Sequence, residues 1–190
     1  LQDYGHPKID TFADHVFIIV HGIDFSRLDI EKSMDVHTLE LDLFFGQRYI
    51  VTHHGNPSLR SIHDLHKDVC EPGHRPWTSV RILHRMLDRL VDNFLPVMDQ
   101  IGCKLELLED MIIHNPEPDL LEKVLEAKKS IQRIRRMTAH QRLILESLAR
   151  GHLELIERDS LAFFRDIYDH FVRVADLAEA YREGAQSAVE

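Results

Sequence analysis

The chain has 190 residues, 44% of them hydrophobic, with 32 acidic against 23 basic side chains and a formal net charge of -9. That much apolar material can bury a core and excludes a disordered chain. The negative balance argues against sequence-independent binding to nucleic-acid phosphates and suits cations better as partners. Cys70 and Cys103 lie far apart and outside any CxxC pair, so a reducing compartment is expected and a disulfide framework is not.

The first residue is Leu1 rather than Met, and Tyr181 to Glu190 contains Gly184 without a helix-ending pattern. The reading is of a soluble domain taken from something longer. No window approaches the roughly 18 consecutive apolar residues that a membrane-spanning helix requires.

Residues up to about Pro76 mix strands and a helix. Val16 to Val20 is a continuous apolar run, the pattern of a strand covered on both faces. In Thr38 to Phe45, Leu39, Leu41, Leu43 and Phe45 alternate with polar residues, which is the period of a half-buried strand. Gly46-Gln47 breaks the run and Arg48 to His53 resumes it, predicting a hairpin. After Gly55-Asn56-Pro57-Ser58, the residues Leu59, Ile62, Leu65 and Val69 give a short amphipathic helix. Cys70 to Pro76, with two prolines and a glycine, marks a junction.

From Trp77 onward the pattern is helical. Val80, Leu83, Leu87, Leu90, Phe94, Val97, Ile101, Leu108 and Met111 keep a seven-residue rhythm, spanning about 50 Å at 1.5 Å per residue. Pro96 predicts a kink within it. Asn115-Pro116-Glu117-Pro118 reverses the chain into a second helix, Asp119 to about Arg150, with Leu121, Leu125, Ile131, Leu145 and Leu148 inward. Gly151 ends that helix, and a third begins near Asp159 with Leu161, Phe164, Phe171, Ala175 and Ala178 as its buried stripe. Two units follow: 1–76, an α/β sheet domain, and 77–190, a long antiparallel helical hairpin with the start of a further helix.

Candidate ligands lie off the apolar stripes. Asp88 and Asp92 are four apart on the first long helix, and Asp166, Asp169 and His170 lie on the third. Carboxylates on one face, offered to a neighbouring chain, could share a hard cation such as Mg2+. Spacing alone favours a solvated acidic face, with Asp88 three residues from Arg85 and Asp166 next to Arg165. His63, His66, Cys70 and His74 have gaps that suit a zinc cluster, although His74 falls beyond Pro72-Gly73. His53 and His54 point to opposite faces of a strand. The basic run Lys128-Lys129, Arg133, Arg135 and Arg136 is interleaved with acids and reads as a solvated face rather than a nucleic-acid patch. No phosphate loop, nucleophile elbow or HExxH is present, so nothing points to an enzyme.

Phe164-Arg165-Asp166-Ile167-Tyr168-Asp169-His170, followed by Ala175-Asp176-x-x-Glu179-x-x-Arg182, resembles the stalk helix of the CorA family of magnesium and cobalt transporters. His6-Pro7-Lys8-Ile9-Asp10 with Asp14-His15-Val16-Phe17-Ile18, the strand Arg48-Tyr49-Ile50-Val51-Thr52-His53, and Leu87-Asp88-x-Leu90-Val91-Asp92-Asn93-Phe94 followed by Asp99, Glu106 and Glu109 resemble further family segments in the same order.

The resemblance implies a mixed β-sheet flanked by helices, then a helical hairpin and a stalk leading to membrane helices with a Gly-Met-Asn motif, which this chain lacks. It implies a cytosolic location, assembly into a pentameric funnel, and regulatory Mg2+ sites between subunits, with Asp166 and Asp88 at the matching positions. A further acidic ligand is expected upstream of His6-Pro7-Lys8, where this chain has only Leu1-Gln2-Asp3. The cations expected as partners are Mg2+ and Co2+, with Ni2+ or Zn2+ if the parent is a zinc-transporting relative. A helical adaptor that dimerises through its heptads is the third reading.

Overall fold

The computed structural model describes residues 5–55, 59–70, 77–114 and 118–187. Four strands come first: β1 Lys8–Thr11, β2 His15–Ile23, β3 Thr38–Gly46 and β4 Ile50–His53. They form one sheet in the order β1-β2-β3-β4. The expected hairpin is present, closed at Gln47–Tyr49 with the Gly46 N–H bonded to the Tyr49 carbonyl at 3.0 Å. All three pairings are antiparallel, so the mixed character expected of the sheet is not found among these described strands.

Register decides what each face carries. Val16, Ile18 and Val20 stand opposite Phe45, Leu43 and Leu41, and all six are buried. The helix α2, Ser79–Asp92, packs on this side; Gly22 lies under Leu90. The other face presents Phe17 and Phe44, with ring centroids 4.7 Å apart, and Val51. Phe44 is 38% exposed. The run Val16–Val20 is therefore covered on both sides only in part: Ile19 is buried and Phe17 is half-exposed.

The short helix α1, Arg60–Cys70, follows the sheet as expected. The junction at residues 71–76 lies outside the described residues. Thr78 caps α2, its hydroxyl accepting the Arg81 N–H at 3.2 Å. The long rhythm then divides at Asn93 into α2 and α3, Phe94–His114. Pro96 is the physical cause: without an N–H it cannot bond to the carbonyl four residues back, but it is tolerated in the first turn of a new helix. Phe94, Val97, Met98, Ile101, Leu105 and Leu108 continue the core, whereas Met111, expected inside, is 52% exposed.

The turn at residues 115–117 lies outside the described residues, and α4 runs Pro118–Ala149. Ile131, Leu145 and Leu148 are buried as expected, but the first turns differ. Leu121 and Leu125 are exposed, and the buried stripe is Leu120, Val124, Ala127, Ile131 and Ile134, continuing to Leu145 and Leu148. Gly151, at φ 73°, ends α4 in a conformation that side chains rarely adopt. The N–H groups of Gly151 and His152 return to the carbonyls of Leu148 and Ser147. A 3-10 turn, Arg158–Ser160, leads into α5, Leu161–Ser187. Phe164, Phe171 and Ala178 are buried as expected, joined by Ile167, Val174 and Ala185; Leu161 and Ala175 are only half-buried. Tyr181 of α5 lies so close over Gly102 of α3 that a Cβ there would collide with its ring. One continuous core runs from the sheet through all three long helices.

Candidate functional site

The acidic positions of α2 and α5 meet because both helices bury their other faces in that shared core. On α2, Leu83, Leu87 and Leu90 are fully buried, which leaves Asp88 and Asp92 on the flank towards α5. On α5, Phe164, Ile167 and Phe171 are buried, and Phe171 sets its ring edge-on to Phe94 at 5.7 Å. That anchor fixes the rotation of α5 and places Asp166 and His170 beside α2.

His170 sits between the two helices. Its Nδ1 is 3.9 Å from Asp92 Oδ1, and its Nε2 is 3.9 Å from Asp166 Oδ1. Both separations are too long for hydrogen bonds. Asp88 is tied locally, accepting from Arg85 at 3.1 Å. Arg85 also approaches Asp68 of α1 at 3.9 Å, and Asp68 accepts from Arg89 at 2.5 Å. The exposed side chains are Asp92 and Asp166, at 58% and 70%. No ion pair joins Asp166 to its neighbour Arg165 among the described residues. Partial burial raises the Asp92 carboxyl above the ordinary carboxylate value, and the negative charges of Asp88 and Asp166 push it the same way, against His170 and Arg85.

Asp169 does not join this group. It borders a recess with Glu146, Arg150, Arg165 and Tyr168, on the side of α5 that faces α4. A residue missed in the sequence, His84, belongs nearby. It is held edge-on to Phe163 and Phe164 at 5.4 and 5.8 Å, and burial pulls its imidazole below the ordinary value while Asp88 and Asp166 act the other way. The signal was available: His84, Asp88 and Asp92 step by fours along one face. His84 also lines a groove of about 590 Å3 with Trp77, Arg81, Arg85 and Phe163.

The donors are mostly hard carboxylate oxygens, the kind that Mg2+ prefers. Yet among the described residues no three His, Cys, Asp or Glu side chains are close enough to hold a metal ion together. Asp3 lies outside the described residues, as does His74 of the other histidine cluster. The basic run of α4 is largely engaged within the chain: Arg133 bonds to Asp35, Arg135 pairs with Glu179, and Lys128 donates to Gln186.

The fold is an antiparallel sheet and helix layer continued by a long helical hairpin and a final helix with an acidic flank. The model of the family described as CorA-like Mg2+ transporter protein matches residues 1–190, and the chain belongs to that family. Membership of a transporter family agrees with a chain that is not an enzyme, and it gives no support to a free-standing adaptor. The cobalt/magnesium transport protein CorA of Thermotoga maritima is 24% identical over 193 residues, covering 96% of this chain and 51% of that protein. The soluble domain of CorA from Methanocaldococcus jannaschii superposes with a TM-score of 0.81 at 21% identity, over 96% of this chain and 71% of that one. The cytoplasmic domain of ZntB from Vibrio parahaemolyticus gives 0.78 at 17% identity, over 99% and 72%. At these identities the structural likeness establishes the fold. The chain spans about half the length of the curated relatives it matches, and among the described residues no helix is long and apolar enough to cross a membrane.

Proposed function

We propose that this chain is the cation-sensing part of a CorA-like Mg2+/Co2+ transporter, placed on the cytoplasmic side of the membrane and assembled as a homopentamer. In this reading Asp88, Asp92 and Asp166, with His170 among them, face acidic groups of an adjoining copy, and Mg2+ is shared across the junction. The observation that supports it is the approach of Asp92 on α2 and Asp166 on α5 to the same imidazole, His170, at 3.9 Å each, with Asp88 one turn before Asp92. Asp92 is raised by burial and by its acidic neighbours, and among the described residues no three such side chains stand close enough to hold a metal ion within one copy.

Two unit charges 4 Å apart repel by about 4 kcal/mol at an effective dielectric of 20. Carboxylates from two copies pressed together therefore push the copies apart, and a dication between them reverses the sign. Mg2+ then favours the tight, closed assembly to the extent that it binds that state better than the loose one. Loss of the ion at low internal Mg2+ releases the copies. Asp166 and Asp88 hold the ion in this scheme, with His170 standing between Asp92 and Asp166.

In the intact transporter, Asp166→Ala is expected to abolish or strongly weaken inhibition of uptake by internal Mg2+. Unchanged inhibition overturns the assignment. A zinc-transporting parent is the second reading, favoured by the likeness to the ZntB domain and by the two imidazoles, His84 and His170, beside the carboxylates. Uptake of Mg2+, Co2+, Ni2+ and Zn2+ by the intact protein separates the two.

A further inference from the structure

We infer that α1 carries a separate site for a soft divalent cation, with His66 and Cys70 as its two protein ligands. The two residues are four apart on one helix, so their side chains share a face one turn from each other. Cys70 Sγ lies 3.8 Å from His66 Nδ1 and 3.9 Å from Nε2. A Zn2+ ion sits about 2.3 Å from sulfur and about 2.0–2.1 Å from imidazole nitrogen, which at a tetrahedral angle sets sulfur and nitrogen roughly 3.6 Å apart. The observed pair is within a few tenths of an ångström of that span, and a turn of the ring about its outer bond aims either nitrogen at the ion.

Both side chains are exposed, and the thiol is free. The described residues provide neither with another side-chain partner, so binding breaks no existing contact. Thiolate and imidazole select Zn2+ or Co2+ over Mg2+. Binding deprotonates the thiol, whose proton goes to solvent as the metal–sulfur bond forms. Water fills the remaining positions. His63, one turn before His66, is not a ligand, because no third such group stands close enough in the described residues.

This site is independent of the acidic flank of α2 and α5, and the test keeps them apart. The purified chain is titrated with Co2+, and the thiolate-to-cobalt charge-transfer absorption in the near ultraviolet is followed, with Zn2+ as competitor. A saturable band with one equivalent of Co2+, displaced by Zn2+, is expected. Cys70→Ser should abolish it, and His66→Ala should weaken binding by about 10-fold or more, since loss of even an outer-shell partner typically costs about 10- to 100-fold. His63→Ala, Cys103→Ser and the Asp88→Asn/Asp166→Asn pair should leave the band unchanged. In the unsubstituted protein Zn2+ should slow alkylation of Cys70 and not of Cys103, which reads the same site without any variant. No band in the unsubstituted protein, a band that survives Cys70→Ser, or Zn2+-insensitive alkylation of Cys70 each overturns the inference.

Discussion

The polar contacts of α4 and those of the α2–α5 flank follow opposite rules. On α4, the buried side chains Ser130 and Gln141 are matched by backbone groups far away in sequence. Gln141, fully buried, accepts the His21 N–H at 2.7 Å and donates to the His21 carbonyl at 3.3 Å. It thereby finishes β2 where β1 has ended. Ser130 accepts the Val36 N–H at 3.0 Å, and Arg133 donates to Val36 O and Asp35 at 2.9 and 3.0 Å. At the α2–α5 flank Arg85 and Asp88 form a close pair, while His170 stays 3.9 Å from Asp92 and from Asp166. Satisfied polar groups hold a fold together. The exposed Asp92 and Asp166, with only long contacts to His170, add little to the fold, and in the proposed function they serve the cation instead.

Phe171 connects the two regions and is the largest lever on them. It is fully buried against Phe94 and immediately follows His170. Phe171→Ala is expected to lower the unfolding free energy by about 3–5 kcal/mol, measured by urea denaturation. A loss below about 1 kcal/mol would mean that this ring does not anchor α5, and the argument for the facing of Asp166 would go with it.

Gln141→Leu addresses the α4 side of the contrast. It strands both backbone groups of His21, and the expected loss is about 1–3 kcal/mol. Asp166→Asn, on the other flank, should stay within about 0.5 kcal/mol, as is usual for surface changes. Equal losses in the two variants would mean that both sets of polar groups serve the fold alike.

That contrast also explains what could be read in the sequence. The hairpin was legible because Leu39, Leu41, Leu43 and Phe45 alternate cleanly, and α5 because Phe164, Phe171 and Ala178 keep helical spacing. The phase of the first turns of α4 was not legible, although Ile131, Leu145 and Leu148 are buried as expected. Leucines at 121 and 125 suggested one stripe, but the buried face includes Ala127, Ser130 and Gln141, small or polar residues, and the value of the last two lies in the distant partners Val36 and His21. Local periodicity carries no record of such distant partners. The spacing of Asp88 with Asp92 and of Asp166 with His170 marked two helical faces, but only packing could bring the faces together. Asp169 was grouped with them by adjacency, and helix rotation turns it towards α4.

The smallest expected effect is the one most specific to the acidic flank. Asp92 has a carboxyl raised above its ordinary value of 3.8, first by burial and then by Asp88 and Asp166. A raised carboxyl means that the folded chain holds a proton that the unfolded chain has already released. Stability from this group is thus full below the ordinary value and is lost as pH rises through the folded value. Asp92→Asn removes that loss. The variant should melt higher than the parent at pH 7, and the difference should vanish once pH falls below the ordinary value. Because the side chain is more than half exposed, solvent screening limits the gain to a few tenths of a kcal/mol, roughly 1 °C in Tm. A variant that melts lower at pH 7 would show Asp92 to be stabilised by His170 and Arg85 rather than crowded by its acidic neighbours, and the flank would then be a paired surface like that of α4.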